Sequence, residues 1–218
     1  MNLPRSLLIL GGGEHARVLA EAALSRAGEW CVSAYVHHGP QSGLAEICPD
    51  AQPISTDEVG MRTVSSHFCI LGMGGINSVR RRRRLVVQYA AAGARWATVV
   101  HASAWVSASA TIGEGAVIMA GAVVNAGARI GAHCVVNSGA ILEHDVVLGD
   151  NASVAPRVVV GGGAKIGEDV WLGLGCSIRD HIEIGAGTIV GMGAAVVKSL
   201  PARVCAWGVP ASITPLTC

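Results

Sequence analysis

The sequence predicts two consecutive folds, a small α/β unit with a parallel sheet and then a parallel β-helix, and three observations predict them. Short apolar runs alternate with Ala- and Leu-rich helical stretches over residues 1–95. An aliphatic residue then falls on every sixth position from Val100 to Val196. The apolar content, 51% of 218 residues, includes only 4% aromatics and is accompanied by 29 Gly, which suits thin stacked layers better than a core of large rings.

In the first region Ser6–Leu10 reads as a buried parallel strand and Gly11-Gly12-Gly13 as a turn. Ala16–Ala27 reads as a helix, Cys31–Val36 and Phe68–Leu71 as strands, and Val79–Ala92 as a helix ended by Gly93. That order predicts a Rossmann-like arrangement. In residues 96–218 the pairs Ile112-Gly113, Ile130-Gly131, Leu148-Gly149, Ile166-Gly167 and Ile184-Gly185 recur every 18 residues. Six residues supply one flat side of a coil and three such units close a triangle. The aliphatic residue fills the interior. A small residue two places before it, such as Ala116, Ala128 or Cys134, fits the corner, and Gly tolerates turn dihedrals.

Composition narrows the function classes. The formal net charge is +1 and 14% of residues are charged, so no basic footprint points to nucleic acid. Seven Cys without a CxxC pair read as small buried hydrophobes in a reducing compartment, and no export signal or membrane span is expected.

Gly11-x-Gly13-x-x-Ala16 between a strand and a helix fits a phosphate-cradling turn. The second strand ends Val36-His37-His38 instead of in an acid, which disfavours a nicotinamide dinucleotide. Arg80 to Arg84 form an unbroken run that a helix cannot place on one face, so Arg81 to Arg84 read as mostly solvated. His144 stands out among eight His because Glu143 and Asp145 flank it, and it lies two residues past the interior Leu142. It should project outward, where a neighbouring carboxylate orients an imidazole suited to proton transfer. A solvated surface His is the equal alternative on residues alone. His133 and His181 read as turn or interface residues, and His101 as leading into the first coil.

These residues resemble the hexapeptide-repeat acyltransferases, and more closely the branch that acetylates nucleotide-linked amino sugars and sialic acids, of the PglD/NeuD type. The resemblance spans nearly the whole chain. It rests on the six-residue rows, Gly11-Gly12-Gly13-Glu14-His15-Ala16, Gly75-Ile76-Asn77-Ser78-Val79-Arg80, Asn137…Leu142-Glu143-His144-Asp145 and Gly208-Val209-Pro210-Ala211. It implies a left-handed β-helix, a cytoplasmic homotrimer with sites between subunits, acetyl-CoA as co-substrate, no metal, and a nucleotide-activated amino sugar held by the N-terminal domain. It assigns His144 as general base, Asp145 as its support and Asn137 as a nearby hydrogen-bonding group. It points to Gly162, Gly173, Leu174 and Gly191 for CoA, with the Gly162 amide as oxyanion donor. Ser153 stands where many members carry a second His. For the sugar nucleotide it points to Gly11, Gly13, His15, Gly75, Asn77 and Arg80, with His37 and His38 where acids are frequent. An O-acetyltransferase of a sialic-acid-like sugar and a non-catalytic trimer scaffold are the alternatives. A metal enzyme of the γ-carbonic-anhydrase type is disfavoured because His133, His144 and His181 are out of phase.

Overall fold

The structure, a computed structural model, describes residues 3–37 and 43–215. The chain divides into two compact units, Met1–Ala102 and Ser103–Cys218.

In the first unit, β1 (Arg5–Leu10), α1 (Glu14–Leu24), β2 (Trp30–Val36), α2 (Leu44–Ile47), β3 (Gln52–Ile54), α3 (Asp57–Arg62), β4 (Phe68–Leu71), α4 (Val79–Ala91) and β5 (Arg95–Trp96) follow in order. The strands form one parallel sheet in the order β3-β2-β1-β4-β5. This is the doubly wound order in which the chain reverses direction beside β1, opening a crevice at the strands' carboxyl ends. Leu7, Leu8 and Ile9 of β1 are fully buried, as a strand covered on both faces requires. The short α2, β3 and α3 carry too few residues to show a period and were not predicted.

The second unit repeats two-residue strands every six residues, each hydrogen-bonded in parallel to the strand 18 residues on. Three flat faces result. The first contains Val117–Ile118, Val135–Val136, Ser153–Val154, Trp171–Leu172 and Ile189–Val190. The second runs from Trp105–Val106 through Ile141–Leu142 to Ala195–Val196, and the third from Thr111–Ile112 to Glu183–Ile184. Interior positions from Ile118 to Val196 are at most 4% exposed. Each such side chain contributes about 1.5–3 kcal/mol by leaving water. The final strand, Ser212–Pro215, runs antiparallel to Val204–Trp207.

Corner geometry corrects one expectation. Every sixth residue from Gly115 to Gly193 has positive φ, and six of these residues, among them His133, Asp145 and His181, are not glycine. Asp, Asn and His tolerate this left-handed region better than most side chains. The repeated Ile-Gly glycines do not have positive φ. They are small because coils are close: a Cβ at Gly149 would stand 2.6 Å from the Glu168 amide nitrogen. Of the described cysteines, five are buried as expected, whereas Cys31 is exposed.

Candidate active site

In the second unit Leu142 points into the prism and the chain then turns at Glu143-His144-Asp145. The turn is pinned to both neighbouring coils, by Asp145 N–H donating to the Ala126 carbonyl (2.9 Å) and Gly163 N–H to the His144 carbonyl (2.8 Å). Asp145 takes the left-handed conformation, φ 57°. Its Oδ2 lies 3.0 Å from Nδ1 of His144, with both side chains solvent-accessible. Glu143, the other flanking acid, instead accepts from Nδ2 of Asn125 at 3.0 Å. With Nδ1 held by the carboxylate, Nε2 is the free basic nitrogen of His144. The ring lies over Gly162: a Cβ there would collide with Nε2. Gly161-Gly162-Gly163 thus form a rung without side chains beside the imidazole. The Gly161 and Gly163 amides donate within the stack, while that of Gly162 makes no backbone hydrogen bond among the described residues.

Asn137 lies on a different edge, at the corner between the first and second faces, whereas His144 lies between the second and third. Asn137 Oδ1 accepts from Ser138 N–H at 2.8 Å. Gly173 and Gly191 occupy the same corner position as Asn137, two and three coils along, and Leu174 beside them is 48% exposed. Ser153 does not join either group. It sits within a strand of the first face, flanked in register by Val135 and Trp171, and is 6% exposed. Ser153, which stands where many members of the family carry a second His, is thus enclosed between its strand neighbours. His181 shares the His144 edge two coils on, with Nε2 4.0 Å from Asp180, and His133 lies on the third edge. Among the described residues no group of three or more His, Cys, Asp and Glu forms a metal site.

The first unit holds a cleft of about 760 Å³ at the carboxyl ends of β1, β2 and β4. Gly11, Gly13, His15, His37, Gly75 and Asn77 all line it. Gly11 has φ +131° and approaches Gly72 so closely that a Cβ would stand 2.9 Å from its carbonyl oxygen. The cleft receives the start of α1, which has no side-chain cap, and the turn Gly75–Ser78 before α4. Unused amides at helix starts favour an anion there. His15 packs against Gly74 and His37 against Gly12, each with Nε2 buried and without a hydrogen-bond partner. Burial, and secondarily the charge of Arg82, lowers the His15 pKa to about 4. His15 is therefore a neutral hydrogen-bonding group near pH 7. His38 lies outside the described residues.

The arginine run departs from expectation. Arg80 is exposed and is not among the lining residues; Arg81 is. Arg82 is fully buried, not solvated. The reason is helical phase: Val79, Arg82, Leu85 and Tyr89 form the buried stripe of α4, turning Arg81 to the cleft. That apolar spacing is readable in the sequence and would have singled out Arg82.

The bacterial transferase hexapeptide model (six repeats) matches residues 109–143 and 127–162. A histidine mutant of GDP-perosamine N-acetyltransferase from Caulobacter crescentus, solved with CoA and GDP-perosamine, is 33% identical over 96% of each chain, with TM-score 0.86. The chain belongs to the hexapeptide-repeat sugar acetyltransferases. The acetyltransferase domain of PglB from Neisseria gonorrhoeae FA1090 resembles this acetyltransferase at 28% identity over 96% of this chain and 100% of that one, with TM-score 0.84. WeeI from Acinetobacter baumannii AYE, at 20% identity and TM-score 0.57, shares the fold. No curated protein matches the sequence. The prism is accordingly the left-handed β-helix of this family.

Proposed function

We propose that this acetyltransferase moves the acetyl group of acetyl-CoA to the amino group of a nucleotide-linked amino sugar, with His144 as general base. The observation that carries the reading is the 3.0 Å pair between His144 Nδ1 and Asp145 Oδ2 beside the side-chain-free Gly162. Acetyl-CoA supplies the activated acyl group. His144 Nε2 takes the proton that the sugar amine releases as it attacks the thioester carbonyl, Asp145 steadies the resulting imidazolium, and as the tetrahedral adduct collapses the C–S bond breaks and CoA leaves as the thiol with that proton. The Gly162 amide is available to the negative charge that builds on the acyl oxygen. In the cleft, the helix starts and Arg81 suit the diphosphate of the nucleotide, and His37 and the neutral His15 offer hydrogen bonds to sugar or ribose hydroxyls. The Caulobacter enzyme's GDP-perosamine supports this substrate class.

We read the assembly as a homotrimer. Outward residues of the second face include Trp105 (54% exposed), Val123, Ile141 and Val159, an apolar strip, whereas those of the third include Arg129, Lys165 and Glu183. Three copies turning their second faces to a common axis would bring the His144 edge of one against the Asn137 edge of the next. Asn137, Gly173, Leu174 and Gly191 of one copy and His144, Asp145 and Gly162 of its neighbour would then share one groove, with CoA along the glycine track. Among the described residues no helix is long and apolar enough to cross a membrane, and no disulfide joins the described cysteines, which suits the cytoplasm. Acetyl-CoA consumption measured against UDP-, GDP- and dTDP-linked amino sugars tests the function. Turnover with at least one is expected, and none with any sugar nucleotide would overturn it.

A further inference from the structure

We propose that Trp207 is the platform on which the adenine of acetyl-CoA stacks; this rests on the acyl-donor reading above. The indole lies across Gly191, where a Cβ would collide with its six-membered ring, so one face is pressed on the backbone. The side chain is nevertheless 42% exposed, which leaves an open aromatic surface. Its place is set by register. Val136, Val154, Leu172, Val190 and Ala206 pair in succession, so Trp207 follows Ala206 as Gly191 follows Val190 and as Asn137 follows Val136.

Trp207 therefore stands at the end of the edge that begins at Asn137, four rungs away, or about 19 Å at the usual strand spacing. An extended phosphopantetheine arm covers a separation of that order. Between the two, Gly173 carries no side chain and Gly191 lies under the indole, while Leu174 and Met192 are exposed at 48% and 67%. This makes a shallow apolar track ending on an aromatic face. The loop after Trp207 is fixed across the second face by Ala195 N–H to the Gly208 carbonyl (3.0 Å) and Ala211 N–H to the Ala195 carbonyl (2.8 Å). The platform is thus held in place before any ligand arrives. A purine is the natural occupant, because stacking on an indole needs no hydrogen-bonding partner.

The test compares two donors, acetyl-CoA and S-acetyl-4′-phosphopantetheine, which lacks the adenosine portion. Trp207→Ala should raise KM for acetyl-CoA about tenfold and change KM for the truncated donor by less than about twofold, while Trp207→Phe keeps most of the wild-type value. Calorimetric titration with adenosine 3′,5′-bisphosphate supplies a readout apart from turnover: wild-type and Trp207→Phe proteins bind it, Trp207→Ala weakly or not at all. Equal KM changes for both donors, unchanged binding in Trp207→Ala, or loss of the wild-type oligomer in Trp207→Ala would each overturn the proposal. If no amino sugar is turned over while CoA binding depends on Trp207, the functional reading fails and this one stands.

Discussion

His15 in the N-terminal cleft and His144 on the prism edge are the same side chain in opposite surroundings. His15 is packed into the wall of a cleft, its Nε2 buried, its pKa lowered to about 4 by burial and by Arg82. His144 is 59% exposed and holds a carboxylate on Nδ1. The first surroundings disfavour a charge, whereas the second set the ring beside a carboxylate and open to solvent. A base must accept a proton and release it; a positioning group must stay neutral and present a fixed donor or acceptor. Environment, not residue type, sets the two side chains apart.

That contrast can be broken or sharpened by substitution. The largest effect should come from His144→Ala, which is expected to lower kcat by roughly a hundred- to ten-thousandfold with the assembly intact. Steady-state rates and light scattering check both halves, and near-normal turnover would remove His144 from the role of base. Next comes Gly162→Ala. The added methyl collides with the imidazole, and displacing a base by about 1 Å costs about a hundredfold in rate; an unchanged kcat would show that the ring moves aside freely. Asp145→Asn should lower kcat by only about tenfold, because the carboxylate is 72% exposed and water screens it.

Smaller effects belong to the cleft. His15→Ala should raise KM for the sugar nucleotide about fivefold, the value of one hydrogen bond, with kcat less affected. An unaltered KM would take His15 out of the site. His15 also gives the stability a pH dependence of known sign. Its folded pKa of about 4 lies below the ordinary 6.5, so between those values the unfolded chain binds a proton that the folded one refuses. Stability contributed by His15 is complete above pH 6.5 and is lost as pH falls towards 4. Denaturant unfolding at pH 7 and pH 5 should show a smaller difference for His15→Gln than for wild type.

The two units were unequally legible, for a physical reason. In the prism a strict period ties sequence position to place in space. Leu142 had to point inward, so His144, two residues on, had to face out, and it does. The same phase separates Asn137 from His144, which belong to different hexads and close different corners. In the α/β unit no such ruler exists. A strand-turn-helix pattern and a resemblance marked Gly11, Gly13, His15, His37, Gly75 and Asn77, and these six line one cleft. Arg82 was missed because charge was assumed to seek water, although Val79, Leu85 and Tyr89 already placed it on the buried stripe. Ser153 shows a related limit: a family position says nothing of the strand neighbours that enclose it.

The parallel stack of identical storeys also governs how this enzyme can change length. Eighteen residues inserted between Gly163 and Gly185 would add one whole floor without turning any other side chain to a new edge. A shorter insertion would rotate everything beyond it by a third of a turn or break the pairing. The separation between the His144 rung and the far end of the prism is therefore adjustable only in steps of about 4.8 Å. The prism lengthens by counting floors, not by stretching them.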